Sequence, residues 1–324
     1  MTQLEGCSRK LVLWSIDPFE TETKPKRAVQ EELKTWLEKM AFEVQPVYVL
    51  GLSQADLSHE PQGNWLNRYI PLVKKMLTEY MEEMGISQVR KPKIIVEQSS
   101  FVSRYIDSLL QYAEESQAQW ILVSSRGRSG LSRVVLGSFA ESLILKSPVP
   151  VWVFGHGDPA QLSLNHLVFA TDFSDESKKA LNEVVQQARV LNSEIVLFHK
   201  IAFPQAMMTG SGLNPAPYML VDEYLQDQRK WAEKTAEEWV GEVKAAGVLA
   251  RYVMETGMRP ISETILACAK ENDAGLIAMA SKSGPVAAAV IGSNAREVIR
   301  QSDCPVCVFG SGYFEKFRAI DCLT

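Results

Sequence analysis

The chain has 324 residues, too many for one ordinary hydrophobic core and ample for two. Hydrophobic residues make up 46% and charged residues 23%, the formal net charge is −5, and no Lys/Arg-rich run occurs, so the electrostatic footprint of a nucleic-acid partner is missing. No apolar run is long enough to cross a bilayer, and the opening MTQLEGCSRKLVLW lacks the basic-then-apolar order of a secretory signal, so a cytoplasmic location with no membrane partner is expected.

The first element is KLVLWSID, a short apolar run ending at Asp17, as expected of a strand buried on both faces. Val29, Leu33, Trp36, Leu37 and Met40 then recur at helical spacing. A second strand is expected over 44–50. A long irregular connection follows, then a helix carrying Trp65, Tyr69, Val73, Met76, Leu77 and Tyr80. A third strand is expected over 93–96, and a further helix precedes WILVSSRGRSGLSRVVLGSFAESLILKSPVPVWVFG, which runs from Trp120 to Gly155. That stretch reads apolar strand, small and basic residues, Gly-Ser, amphipathic helix, Pro-Val, apolar strand. The segment from Gly155 to Leu164 is a short polar join.

The same order then recurs. NHLVFATD ends at Asp172 and is followed by FSDESKKALNEVVQQARVL. Ser174 suits an N-cap, Asp175 and Glu176 suit a first helical turn, and Ala180, Leu181, Val184, Val185, Ala188 and Leu191 form one apolar face. A second strand is expected over 194–199. From Phe203 to Leu220 the chain is rich in Met, Pro and Gly, long enough to be a lid over an apolar ligand, a partner contact or a plain surface connection. A helix carrying Tyr224, Leu225, Trp231, Thr235 and Trp239 comes next, then a third strand over 251–254. The closing stretch GLIAMASKSGPVAAAVIGSNAREVIRQSDCPVCVFG, from Gly275 to Gly310, repeats the order of 120–155. Repetition one domain apart is an internal duplication rather than a short solenoid repeat. Each half alternates β and α throughout, which predicts an α/β fold: two tandem doubly wound domains, 1–155 and 165–312, each a five-stranded mostly parallel sheet with helices on both faces.

In such sheets ligands bind beyond the carboxyl ends of the strands, where strand order reverses. In the first half that position carries Ser124-Ser-Arg-Gly127-Arg-Ser-Gly130-Leu-Ser-Arg133 and then Gly137-Ser138. Glycines let backbone N–H groups approach phosphate oxygens, and a helix starting near Gly137-Ser138 would aim free N–H groups and its positive pole at an anion. The Ser138 hydroxyl adds a donor, and Arg126, Arg128 and Arg133 supply positive charge. Asp17 and Asp172, each ending a first strand, could touch a base or ribose, cap neighbouring backbone N–H groups, or do both.

These residues resemble the universal stress protein family, whose G-x2-G-x9-G-(S/T) holds the phosphates and ribose of ATP and whose first strand ends in an Asp near the adenosine. The resemblance covers nearly the whole chain, twice. The first half reads Ser124-x2-Gly127-x9-Gly137-Ser138, with only the leading Gly changed to Ser. The second half has Ala280-Ser-Lys-Ser283 in place of the first two glycines, and its gap to Gly292-Ser293 is shorter by one residue. Its TDFSDESKKAL, however, is closer to the family's opening than SIDPFE in the first half. The resemblance implies ATP, with or without Mg, as a regulatory ligand held mainly by the first half. The candidate contacts are Asp17, Val49, Ser124, Gly127, Arg128, Gly137, Ser138 and Phe139, with Asp172, Ser283, Gly292 and Ser293 in the second half. It also implies that the two halves pair through their final strands as an intrachain pseudo-dimer, and leaves a homodimer of the whole chain open. The alternative is an interaction module without a nucleotide, whose second half binds an apolar metabolite or a protein.

No catalytic constellation is visible, so at most weak ATP hydrolysis is expected. The five cysteines, Cys7, Cys268, Cys304, Cys307 and Cys322, are odd in number and irregularly spaced, which argues against a disulfide framework. Cys304 and Cys307 form a CxxC with no second CxxC or His cluster, and read as two small buried residues. His59, His156, His166 and His199 show no metal-ligand spacing.

Overall fold

A computed structural model describes residues 10–19, 25, 27–51, 62–99, 101–124, 137–154, 163–202, 216–281 and 291–315. The first half runs β1 (Lys10–Ser15), α1 (Arg27–Lys39), β2 (Phe42–Gly51), α2 (Gln62–Glu83), β3 (Lys93–Glu97), α3 (Val102–Glu115), β4 (Ala118–Ser124), α4 (Ser138–Lys146) and β5 (Val151–Phe154). The second runs β6 (His166–Ala170), α5 (Asp175–Leu191), β7 (Glu194–Ala202), α6 (Ala216–Ala245), β8 (Ala250–Gly257), α7 (Ile261–Glu271), β9 (Leu276–Ala280), α8 (Ser293–Gln301) and β10 (Val306–Phe309).

These elements fall into two compact units, one formed by the chain up to 162 together with 281 onward, the other by 163–280. In the first, β3, β2, β1, β4 and β5 lie side by side in that order and parallel. β10 adds antiparallel to β5, with Val306 opposite Val153, Cys307 opposite Trp152 and Val308 opposite Val151. The second unit holds β9, β6, β7 and β8, all parallel. Each half of the chain thus supplies five strands, as expected, with β10 grouped in the first unit. β5 would otherwise leave a row of unpaired N–H and C=O groups, and β10 takes it up.

Both cores are built as the apolar runs predict. In the first unit Trp14, Trp36, Trp152, Phe42 and Leu77 are among the fully buried side chains. The Trp36 and Trp152 rings stack with centroids 4.2 Å apart, and Trp120 meets Trp36 edge-on at 5.8 Å. Phe169, Phe198, Leu197 and Ile277 fill the second. Each such side chain stabilises its unit by roughly 1.5–3 kcal/mol. α5 starts at Asp175 because the Ser174 hydroxyl accepts the Ser177 N–H at 3.2 Å, and it stops where Asn192 turns left-handed at φ 59°.

Two expectations about α6 need correction. The helix begins at Ala216, inside the Met-rich stretch that reads as irregular, and the rest of that stretch lies outside the described residues. The buried face of α6 is also rotated from the one expected. Ala232, Ala236, Trp239, Val240 and Val243 are buried, while Tyr224 and Trp231 are exposed. Alanines at helical spacing let a helix lie close to a sheet, and this turns the bulkier Trp231 outward.

Candidate functional site

Strand order reverses between β1 and β4 in the first unit and between β6 and β9 in the second, so each unit has its crevice at the carboxyl ends of those strands. Register fixes what lies beside each strand-end Asp. Ser15 pairs with Val47, and the ladder continues through the Ile16 N–H to the Val47 carbonyl, which puts Asp17 level with Val49. In the second unit Ala170 pairs with Phe198 and the Thr171 N–H donates to the Phe198 carbonyl, which puts Asp172 level with Lys200.

Both aspartates organise the turn that follows them. Asp17 Oδ1 accepts the Phe19 N–H at 3.1 Å. Asp172 Oδ1 accepts the Ser174 N–H at 3.0 Å, the Ser174 hydroxyl at 2.6 Å and the Ser177 hydroxyl at 2.7 Å. Partial burial works to raise the Asp172 carboxyl. The donors from Ser174 and Ser177 outweigh it and hold the group below its ordinary value of 3.8. The capping role considered for these residues is therefore observed at both positions.

Aromatic side chains close over the same strand ends. In the first unit Phe19 stacks on Tyr69 at 5.7 Å and meets Tyr48 edge-on at 6.0 Å. In the second, Phe173 lies 4.6 Å from the His199 ring and meets Trp231 and Trp239 edge-on at 5.8 and 5.1 Å. The Lys178 ammonium sits 4.5 Å from the centre of the Trp239 ring. Phe173 takes a left-handed φ of 60°, rare for a bulky residue. His199 Nδ1 lies 2.8 Å from the Thr171 carbonyl, which can only accept, so Nδ1 carries the proton. Burial pushes the His199 pKa below its ordinary value of 6.5, against the opposing pull of the Thr171 carbonyl and the Asp172 charge. Phe19, Phe173, His199 and Lys200 were absent from the expected set. Only an aromatic residue just past each Asp hinted at the first two.

The helix starts carry the remaining candidates. Gly137 is the N-cap of α4 at φ −63° and ψ 141°, and Gly292 is the N-cap of α8 at φ −57° and ψ 141°. Both conformations are open to any residue, so neither glycine is there for a left-handed turn. Ser138 and Ser293 are exposed first residues of their helices, and Phe139 is half-buried behind Ser138. Glu141 in the first turn of α4 is held by Arg296 of α8, with Nε to Oε1 at 2.8 Å. Ser124 ends β4 opposite Phe154. In the first unit Asp17, Val49, Ser124 and Gly137 thus share the carboxyl edge of β2, β1 and β4 and the start of α4. Of the second-half set, Asp172 belongs to the second unit and Gly292 and Ser293 to the first. Gly127, Arg128 and Ser283 lie outside the described residues, as do Arg126 and Arg133.

Cys304 and Cys307 are buried, and burial raises the Cys268 thiol to about 11. Among the described residues no group of three His, Cys, Asp or Glu side chains could hold a metal ion, and no helix is long and apolar enough to cross a membrane.

The model of the Universal stress protein family matches residues 23–155 and 164–310. Universal stress protein YxiE of Bacillus subtilis is 30% identical over 148 residues, which span 44% of this chain and 97% of that protein. Among solved structures, a universal stress protein from Archaeoglobus fulgidus has a similar fold at a TM-score of 0.63 and 23% identity, covering 93% of this chain and 98% of that one. The functionally unknown protein PA1789 from Pseudomonas aeruginosa is similar at a TM-score of 0.57 and 13% identity, covering 98% of each chain.

Proposed function

The chain belongs to the universal stress protein family, and from that premise we propose that it binds ATP as a regulatory ligand in a stress response, at the crevice of its first half. The observation that carries this reading is the start of α4. Gly137 holds backbone angles that any residue could adopt, so what its missing side chain provides is room. An oxyanion can then approach the free N–H groups and positive pole of α4, beside the exposed Ser138 hydroxyl. The family resemblance assigns Gly127 and Arg128 to the same phosphates, and a magnesium ion, where present, would arrive on them. Asp17, Val49 and the Phe19, Tyr48 and Tyr69 rings line the strand ends where the base and ribose would lie. The second half departs from the pattern in its loop, so ATP is held mainly by the first.

We further propose the cytoplasm as its location and 1–155 and 165–312 as the repeating domains, paired as an intrachain pseudo-dimer. The antiparallel pairing of β5 with β10 supports that pairing.

Equilibrium dialysis of the full chain with ATP tests the site. Gly137→Val is expected to lower affinity at least about tenfold, a loss of about 1.4 kcal/mol. The observed backbone angles admit valine, so circular dichroism should stay native. Unchanged affinity in the folded variant would remove α4 from the site.

A further inference from the structure

The residue level with Asp172 is a lysine that the fold buries and leaves without a hydrogen bond among the described residues. The Lys200 side chain is 3% exposed, and its Nζ has no hydrogen-bond partner among the described residues. Its nearest opposite charge is Glu255 Oε1 at 3.8 Å, on the adjacent position of β8 and beyond hydrogen-bonding range. Glu255 is shared, because Arg259 Nη1 stands 3.8 Å from the same oxygen. Arg259 is two residues before the start of α7, which packs on β6 and β7. The N-cap of α7 is Pro260, which offers no side-chain cap to the N–H groups of the first turn.

The equivalent position in the first unit shows what is unusual. Val49, level with Asp17, pairs with the apolar Ile95. The corner before α3 is occupied by the chain itself: the Glu97 carboxylate accepts the Ser99 N–H at 3.1 Å and the Ser108 hydroxyl at 2.6 Å. Those donors hold its carboxyl below the ordinary value. In the second unit two cations share one carboxylate, and one of them stands two residues before the start of α7. Burying an ammonium without hydrogen bonds is costly, and an oxyanion supplies what is missing.

We propose that Lys200 and the N-terminus of α7 form an oxyanion-receiving site in the second unit, for a small ligand ending in a carboxylate or phosphate group. The ammonium accepts the charge at short range, the α7 N–H groups bind the remaining oxygens, and Glu255 is released to Arg259. This site does not depend on ATP binding by the first half.

The test is thermal unfolding of the full chain in sodium chloride, sodium phosphate and sodium succinate at equal ionic strength. The wild-type midpoint is expected to rise with phosphate or succinate over chloride. Lys200→Met is expected to unfold at a higher temperature than wild type in chloride and to need at least about tenfold more oxyanion for any equal further rise. Glu255→Gln, which removes the competing carboxylate, is expected to lower the midpoint in chloride and enlarge the oxyanion response. A response to phosphate alone or succinate alone supports the site and identifies the ligand class. Phosphate also stabilises proteins by exclusion from their surface, so the difference between wild type and Lys200→Met decides. Equal responses in the two, or none in wild type, would overturn the proposal. Gly137→Val should leave the oxyanion response intact, which separates failure here from failure of ATP binding in the first half.

Discussion

The two strand-end corners share a backbone frame and a strand-end Asp but differ in the side chains around it. In the first unit, Asp17 holds the Phe19 N–H, Val49 lies beside it against Ile95, and Phe19 rests on two tyrosines. In the second, Asp172 gathers three hydrogen bonds, Lys200 replaces the valine, and Phe173 rests on His199 and two tryptophans. The backbone frame is shared, so the differences lie in the side chains each corner places around it. The first has an apolar strand end at the carboxyl edge that also leads to the glycine-capped α4. The second has its Asp engaged by its own helix and presents a buried cation.

The largest effect expected from breaking this contrast comes from Asp172→Ala. It removes an ionised acceptor from three donors, one of them the hydroxyl of the buried Ser177. The second unit should lose about 2–3 kcal/mol, read from hydrogen exchange of α5 and β7 peptides. Asp17→Ala should cost the first unit less. Equal losses would show that the two aspartates do the same structural work.

Acid should act on the second unit earlier than on the first. The folded pKa of His199 is below 6.5, so between that value and 6.5 the unfolded chain binds more protons, and stability falls as pH falls through that window. The contribution is complete above 6.5. Asp172 acts in the same direction at lower pH: its contribution is present above 3.8 and is lost as pH falls through its folded value. Exchange from β7 peptides should therefore quicken below about pH 6.5 relative to β2 peptides. His199→Gln should flatten that difference, and an unchanged pH profile in this variant would rule His199 out as its source.

The smallest effect concerns the rings. Trp231 is 49% exposed and Phe19 46% exposed, so each protects little apolar surface. Trp231→Ala and Phe19→Ala should each cost about 0.5–1.5 kcal/mol by urea unfolding. A loss well above this for one of them would mark that ring as part of a tighter closure than its partner.

The order of strands and helices was legible because burial writes it locally. Apolar runs such as those ending at Asp17 and Asp172, and the 3.6-residue recurrence of Val29, Leu33, Trp36 and Leu37, report one face or two without reference to distant chain. Capping is local as well, and Ser174 with Asp175 and Glu176 marks the start of α5 as expected. The glycine cap at Gly137 could be read for the same reason.

The chain alone therefore determined its family, the duplicated α/β order and one glycine-capped helix start, since each rests on residues within a few turns of one another. Tertiary structure decided which strand covers β5, which face of α6 meets the sheet, and that Lys200 stands level with Asp172. Those outcomes rest on hydrogen bonds and packing between segments far apart in sequence. In a list of residues, Lys200 is one more charge on a strand. Only the ladders on either side of it make it a buried ammonium level with Asp172 and paired with Glu255.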